Sequence, residues 1–176
     1  MLTLNSSWRS ISSLDSALCV HINRVSRVRP ACLLFRGISR IGDGVVWYVL
    51  MVVMLVVDGA NAWPVVLRMV AASALGIMIY KALKVRTSRP RPYRVVPAVI
   101  AAAMPLDEFS FPSGHTLHAV SMTLIATASY PGLSPVLFPL AILIGASRPI
   151  LGLHYPSDVL AGAAIGAAIA SALMVL

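Results

Sequence analysis

The chain alternates long apolar runs with short polar islands, and their spacing predicts its elements. Over residues 1–42 the two kinds of position interleave. Leu14, Leu18, Ile22 and Val25 recur at helical spacing, with Asp15, Asn23, Arg24 and Arg27 between them. Pro30 separates this stretch from a short segment, Ala31 to Ile41, that carries Arg36 and Arg40. Two interfacial helices on a basic membrane surface fit the pattern, with a partly ordered basic tail as the alternative.

Beyond Gly42-Asp43-Gly44, which reads as a turn, the pattern changes. Val45 to Val57 is almost purely apolar, with Trp47 and Tyr48 near its start as interfacial aromatics. Asp58 to Trp63 is a tight polar turn, and Pro64 to Leu83 is a second span whose Arg68 is expected to snorkel. Val95 to Pro105 is apolar but too short and proline-bounded to cross, so it reads as a surface loop or half-embedded hairpin. Leu117 to Tyr130, Leu133 to Ile150 and Ser157 to Leu176 complete about five spans, for which ~20 residues each is the usual need. Gly162 and Gly166 in the last give it a small-xxx-small face for close helix packing.

The expected architecture is an all-α polytopic membrane bundle. Residues 1–42 form its interfacial N-terminal region and residues 43–176 its transmembrane domain. Composition agrees: 59% of residues are hydrophobic and 11% charged, where soluble domains carry roughly 25% charged residues. The net charge of +8 could suggest nucleic acid, but with so little soluble surface, anionic headgroups or a phosphorylated substrate fit better. The N-terminus lacks the uninterrupted apolar core and cleavage site of a signal peptide. Cys19 and Cys32 have no metal or redox spacing; a disulfide between them is open but unsupported.

Counting spans brings the remaining polar islands together. If the N-terminal region lies on one side, spans two and four return there and spans three and five start there. The loops on the other side, Asp58 to Trp63 and Tyr130 to Ser134, contain no Lys or Arg. Of the 14 Lys and Arg, only Arg68 falls outside the shared face.

Three clusters meet on that face. The first is Lys84, Arg86, Arg89 and Arg91, stiffened by Pro90 and Pro92. Arginine forks pair bidentately with phosphate oxygens, although a basic loop beside a bilayer is more often a lipid-contact patch. The second is Pro112-Ser113-Gly114-His115, where a helix start offers free backbone N–H groups to an anion and His115 can protonate a leaving oxygen. Read alone, it is an ordinary helix start with an interfacial histidine; His118, one turn on, is expected to pack. The third runs from Ser147 to Asp158. Arg148 can hold an anion, and Asp158 is spaced to reach back to one nitrogen of His154 and leave the other as a nucleophile. Such charge at a membrane edge is expensive and usually functional. The arrangement fits phosphoryl transfer by positioning and charge stabilisation, with no plausible metal site and no cofactor.

Lys84-x6-Arg91-Pro92, Pro112-Ser113-Gly114-His115 and Ser147-Arg148-x5-His154-x3-Asp158 resemble the three signature motifs of the type 2 phosphatidic-acid phosphatase superfamily. That family includes membrane lipid-phosphate phosphatases and soluble vanadium haloperoxidases. The resemblance covers roughly Lys84 to Asp158 with order and spacing intact. It implies that Lys84, Arg91 and Arg148 hold phosphate oxygens and that Ser113 and the Gly114 amide add hydrogen bonds. It further implies that His154 attacks phosphorus to give a phosphohistidine, Asp158 orients it, His115 protonates the leaving group, and water releases phosphate without a metal. A supporting part is expected for Arg89. Larger bacterial members have six spans, and this chain departs from them by starting with interfacial helices.

The activity so implied is hydrolysis of a lipid phosphomonoester or diphosphate. Undecaprenyl diphosphate is the favoured substrate, with phosphatidic acid and phosphatidylglycerol phosphate next. The alternatives are a haloperoxidase-like enzyme, disfavoured by the hydrophobic chain, and a non-catalytic lipid-phosphate-binding protein, disfavoured by intact His115, His154 and Asp158. The expected location is a bacterial inner membrane. The arginines outside the motifs place the site on the cytoplasmic face, whereas several bacterial relatives act on the periplasmic one.

Overall fold

A computed structural model describes residues 2–175, with side chains from Ser13 onward. Met1 and Leu176, at the ends of the first and last expected segments, lie outside the described residues. Among the described residues eight α-helices follow one another: α1 (Leu2–Asn23), α2 (Arg29–Ile41), α3 (Val45–Asp58), α4 (Trp63–Thr87), the single turn α5 (Pro92–Val95), α6 (Gly114–Ser129), α7 (Ser134–Ile150) and α8 (Pro156–Val175). Among the described residues there is no strand. The chain breaks where the sequence places breakers. Pro30 sits in the first turn of α2, where its missing N–H costs nothing, and Gly59 with φ +55° ends α3. Residues 96–113 are irregular, as Val95 to Pro105 suggested.

Among the described residues three segments are long and apolar enough to cross a membrane: Val45–Val95, which contains both α3 and α4, then Pro131–Ile150 and Pro156–Val175. α4 runs one turn beyond the expected Leu83, so Lys84 is carried on a helix end instead of a loop. α6 is only 16 residues long and is the most enclosed helix, packed against α4, α7 and α8. Leu117, Ala119, Met122, Ala126 and, from α4 and α7, Met69 and Ile144 form its solvent-free core. By contrast α3 turns Val45, Val49, Val52, Val56 and Val57 outward, an apolar stripe suited to lipid.

Two sites of close packing set the height of α8 against α6. A Cβ at Gly162 would lie 2.5 Å from the Ser113 carbonyl oxygen, and one at Gly166 would lie 2.4 Å from that of Leu117. The glycine face read from sequence therefore seats α8 directly on the backbone of α6 at the PSGH turn.

The end of α1 turns Asp15, Cys19 and Asn23 into the protein, where they are buried, while Leu14 and Leu18 are exposed. The Asn23 amide donates to the Ile100 and Ile150 carbonyls and its oxygen accepts from Ile100 N–H, which ties the irregular 96–113 segment to the end of α7. Arg36 adds a bond to the Ala102 carbonyl. The N-terminal helices thus act as struts for a segment with no regular structure of its own. Cys19 and Cys32 are free thiols, and burial pushes that of Cys19 up to about 12.

Candidate active site

At one end of the bundle a cavity of about 550 Å³ is lined by Lys84, Arg91, His115, Arg148 and His154, together with Gly114. The distant sequence motifs converge there because α4, α6 and α7 each deliver a motif at the same end.

Arg91 is 1% exposed and makes the most bonds. Its Nη1 donates to the Leu153 carbonyl at 2.7 Å and faces His154 Nε2 at 3.3 Å. A guanidinium can only donate, so the Nε2 it faces is the nitrogen with the lone pair and the His154 proton resides on Nδ1. Burial, then the positive fields of Arg148, Arg91 and Lys84, hold the His154 imidazole well below its usual titration range. The ring is therefore neutral at physiological pH, with the lone pair of Nε2 turned toward Arg91.

Asp158 stands behind that ring, but less closely than its spacing suggests. His154 Nδ1 and Asp158 Oδ2 are 3.7 Å apart, beyond hydrogen-bond length, and Nδ1 has no partner among the described residues. Asp158 is occupied elsewhere: Oδ2 accepts from Tyr155 N–H at 2.9 Å, and Oδ1 accepts from Arg89 at 2.7 Å. As a first-turn residue of α8 it shapes the 151–155 loop that presents His154, and it offers negative charge to Nδ1–H across the gap.

Arg89, whose supporting part was expected, is the hub behind the site. Its Nη1 reaches both Ser157 and Asp158, its Nη2 pairs with Asp15 of α1 at 2.6 Å, and its guanidinium lies 4.0 Å from the Tyr155 ring centroid. Arg148, 2% exposed, donates through Nη1 to Ser39 of α2 and leaves its Nε unpaired. A buried guanidinium nitrogen without a partner is costly, and an anion in the adjoining cavity would satisfy it.

Ser113 is not brought to the cavity wall. It is fully buried, and its Oγ lies 2.9 Å from Thr116 Oγ1 and accepts from Thr116 N–H as the N-cap of α6. The Gly114 end of that helix, one residue on, does line the cavity.

Two carboxylates that the motif reading left without a role sit on basic side chains of the site. Asp107 pairs with Lys84 Nζ at 2.6 Å and Arg91 Nη2 at 2.8 Å. Burial opposes its charge, yet Lys84 and Arg91 outweigh that and hold the carboxyl below its usual range. Asp43 pairs with His115 Nε2 at 2.6 Å. Of the two histidines, His115 therefore has the closer carboxylate, at 2.6 Å against 3.7 Å for His154 and Asp158. Both aspartates were visible in the sequence as loop acids, but only the fold reveals which cations they meet. Among the described residues no group of three His, Cys, Asp or Glu side chains converges as metal ligands would.

Known proteins resemble the chain in both sequence and fold. The PAP2 superfamily is matched over residues 65–176. A decaprenylphosphoryl-5-phosphoribose phosphatase of Mycobacterium tuberculosis is 31% identical over 161 residues, covering 88% of this chain and 86% of the relative. Aquifex aeolicus LpxE superposes with a TM-score of 0.76 at 27% identity, over 91% of this chain and 94% of that one. A Bacillus subtilis transmembrane PAP2-type phosphatidylglycerolphosphate phosphatase shares the fold with a TM-score of 0.74 at 23% identity, over 94% and 85% of the two chains. The chain belongs to the PAP2 superfamily, and it is an integral membrane phosphoric monoester hydrolase.

Proposed function

We propose that this phosphatase hydrolyses the phosphomonoester or diphosphate of a membrane lipid through a phosphohistidine at His154, without a metal. The observation that carries this reading is the donation from Arg91 Nη1 toward His154 Nε2, at the wall of a cavity shared with Lys84, Arg148 and His115. Lys84, Arg91, Arg148 and the Gly114 amide hold the phosphate oxygens and concentrate positive charge where the transition state is negative. His154 Nε2 bonds to phosphorus as the ester or anhydride oxygen leaves, and that oxygen takes a proton from His115. Water then attacks the phosphohistidine, giving its proton back to His115 as the N–P bond breaks and phosphate departs. Ser113 acts through the α6 cap, and Asp158 through the loop that carries His154.

The lipid character of the substrate follows from the site's place at one end of an apolar bundle, with Trp47 and Tyr48 of α3 also on the cavity wall. Substrates to test first are undecaprenyl diphosphate and a polyprenylphosphoryl-5-phosphoribose, the latter suggested by the named activity of the mycobacterial relative. Phosphatidic acid and phosphatidylglycerol phosphate come next. Purified protein in detergent with EDTA is expected to release phosphate from at least one of them and to be inhibited by vanadate. Activity that requires an added divalent ion is the outcome that overturns the mechanism.

In this reading α3, α4, α6, α7 and α8 all cross a bacterial inner membrane, and residues 1–42 lie on its surface. Arg24, Arg27, Arg29, Arg36 and Arg40, read as lying on the same side as the site, favour the cytoplasmic face. A reporter fused after Leu176 is then expected to report the opposite, periplasmic side. A cytoplasmic signal sinks the assignment.

A further inference from the structure

His115 is the proton donor in the mechanism just proposed, and it stands in an unfavourable place for a cation. Arg148 and His118 are its ionisable neighbours, and His154, Arg91 and Lys84 share its cavity. Asp107 compensates Lys84 and Arg91, but it is not paired with His115. Asp43 is, with its carboxylate oxygen 2.6 Å from Nε2.

Asp43 is held in place by its own turn. Gly44 adopts φ +125°, a conformation that favours glycine, and a Cβ on Gly42 would come within 2.9 Å of Ile144 Cγ2 of α7. One turn earlier, Ser39 of α2 accepts from Arg148. The end of α2 and the turn after it therefore touch two members of the site at once. Asp43 lies outside the three signature motifs, and in the sequence it looks like an ordinary turn residue.

We propose that Asp43 is the positioning residue of the general acid: its carboxylate fixes the His115 ring and offsets the cationic field, so that His115 carries a proton when the leaving oxygen departs. The inference rests on the lipid-phosphatase reading above. Asp43 itself touches neither phosphorus nor the leaving oxygen; the proton passes from the His115 imidazolium to that oxygen and returns from the attacking water.

The test uses leaving-group chemistry, because a merely structural role would not depend on it. An alkoxide leaving from a lipid phosphate needs a proton, whereas 4-nitrophenolate leaving from 4-nitrophenyl phosphate scarcely does. The measured quantity is kcat/KM, which reports the steps through departure of the leaving group. For Asp43→Asn, kcat/KM is expected to fall about 10- to 100-fold on the lipid phosphate and to stay within about threefold on the aryl phosphate, consistent with loss of part of a general-acid contribution. Asp43→Glu is expected to recover part of the lipid activity, and vanadate inhibition to stay as in the wild type.

Equal losses on both substrates, or no loss on either, overturn the role of Asp43. If Asp43→Asn folds poorly, Asp43→Ala and Asp43→Glu are compared on the same ratio of lipid to aryl rates, and a ratio unchanged from wild type rejects the proposal. Wild-type protein that hydrolyses neither substrate, or a fully active His154→Ala protein, instead overturns the underlying phosphatase mechanism.

Discussion

His154→Ala is expected to reduce phosphate release to background, a loss of roughly 10⁴-fold or more, as for removal of a covalent nucleophile. The acid-labile phosphoenzyme trapped from wild-type protein and labelled substrate should vanish with it. The size of the effect follows from how the ring is prepared. His154 is 1% exposed, kept neutral by burial and by Arg148, Arg91 and Lys84, with its lone pair on the side of the cations. Arg91 keeps its bonds to Leu153 and Asp107 in the variant, so the cavity's cationic wall remains and substrate should still bind. Measured binding of vanadate or phosphate to His154→Ala separates a lost nucleophile from a lost fold. Residual activity within a factor of about 10 of wild type would leave His154 as a binding group only.

The sequence carried the helices and the convergence of motifs, because both follow from hydropathy. Apolar runs separate the polar islands, and counting those runs predicts which polar ends share a face. Lys84, Arg91, His115, Arg148 and His154 accordingly line one cavity. What hydropathy could not give is which partner each ion takes inside that face. Asp107 and Asp43 look alike in the sequence, two acids in loops. One neutralises Lys84 and Arg91, the other meets His115, and only the path of residues 96–113 and the end of α2 decides it. Ser113 illustrates the same limit on a shorter scale. A serine before a glycine at a helix start can point at a ligand or cap the helix, and here Thr116 takes it. The direction of α1 was hidden for a different reason. Helical periodicity identifies two faces, but beside a bilayer the apolar face can turn to lipid, and Asp15 and Asn23 turn inward to bind Arg89 and the 96–113 segment.

Arg91→Lys is expected to lower kcat/KM by about 10²- to 10³-fold despite preserving the charge, a loss of the size seen when one preorganised transition-state donor is removed. Arg91 uses three guanidinium nitrogens in three directions: Nε to the Asp107 carbonyl at 3.0 Å, Nη2 to the Asp107 carboxylate at 2.8 Å, and Nη1 to Leu153 and His154. A lysine has one nitrogen on a flexible stem and cannot span these points together. Losing the Nη1 contacts would free the 151–155 loop and remove the donor that fixes the His154 lone pair, while losing the fork would weaken the hold on phosphate. The two losses are separable. If Arg91 acts on phosphate directly, vanadate inhibition should weaken in step with kcat/KM. If it acts through Leu153 and His154, kcat should fall while vanadate affinity holds. Activity of Arg91→Lys within about threefold of wild type would mean that charge alone suffices at this position, and that the fork geometry seen here has no part in the reaction.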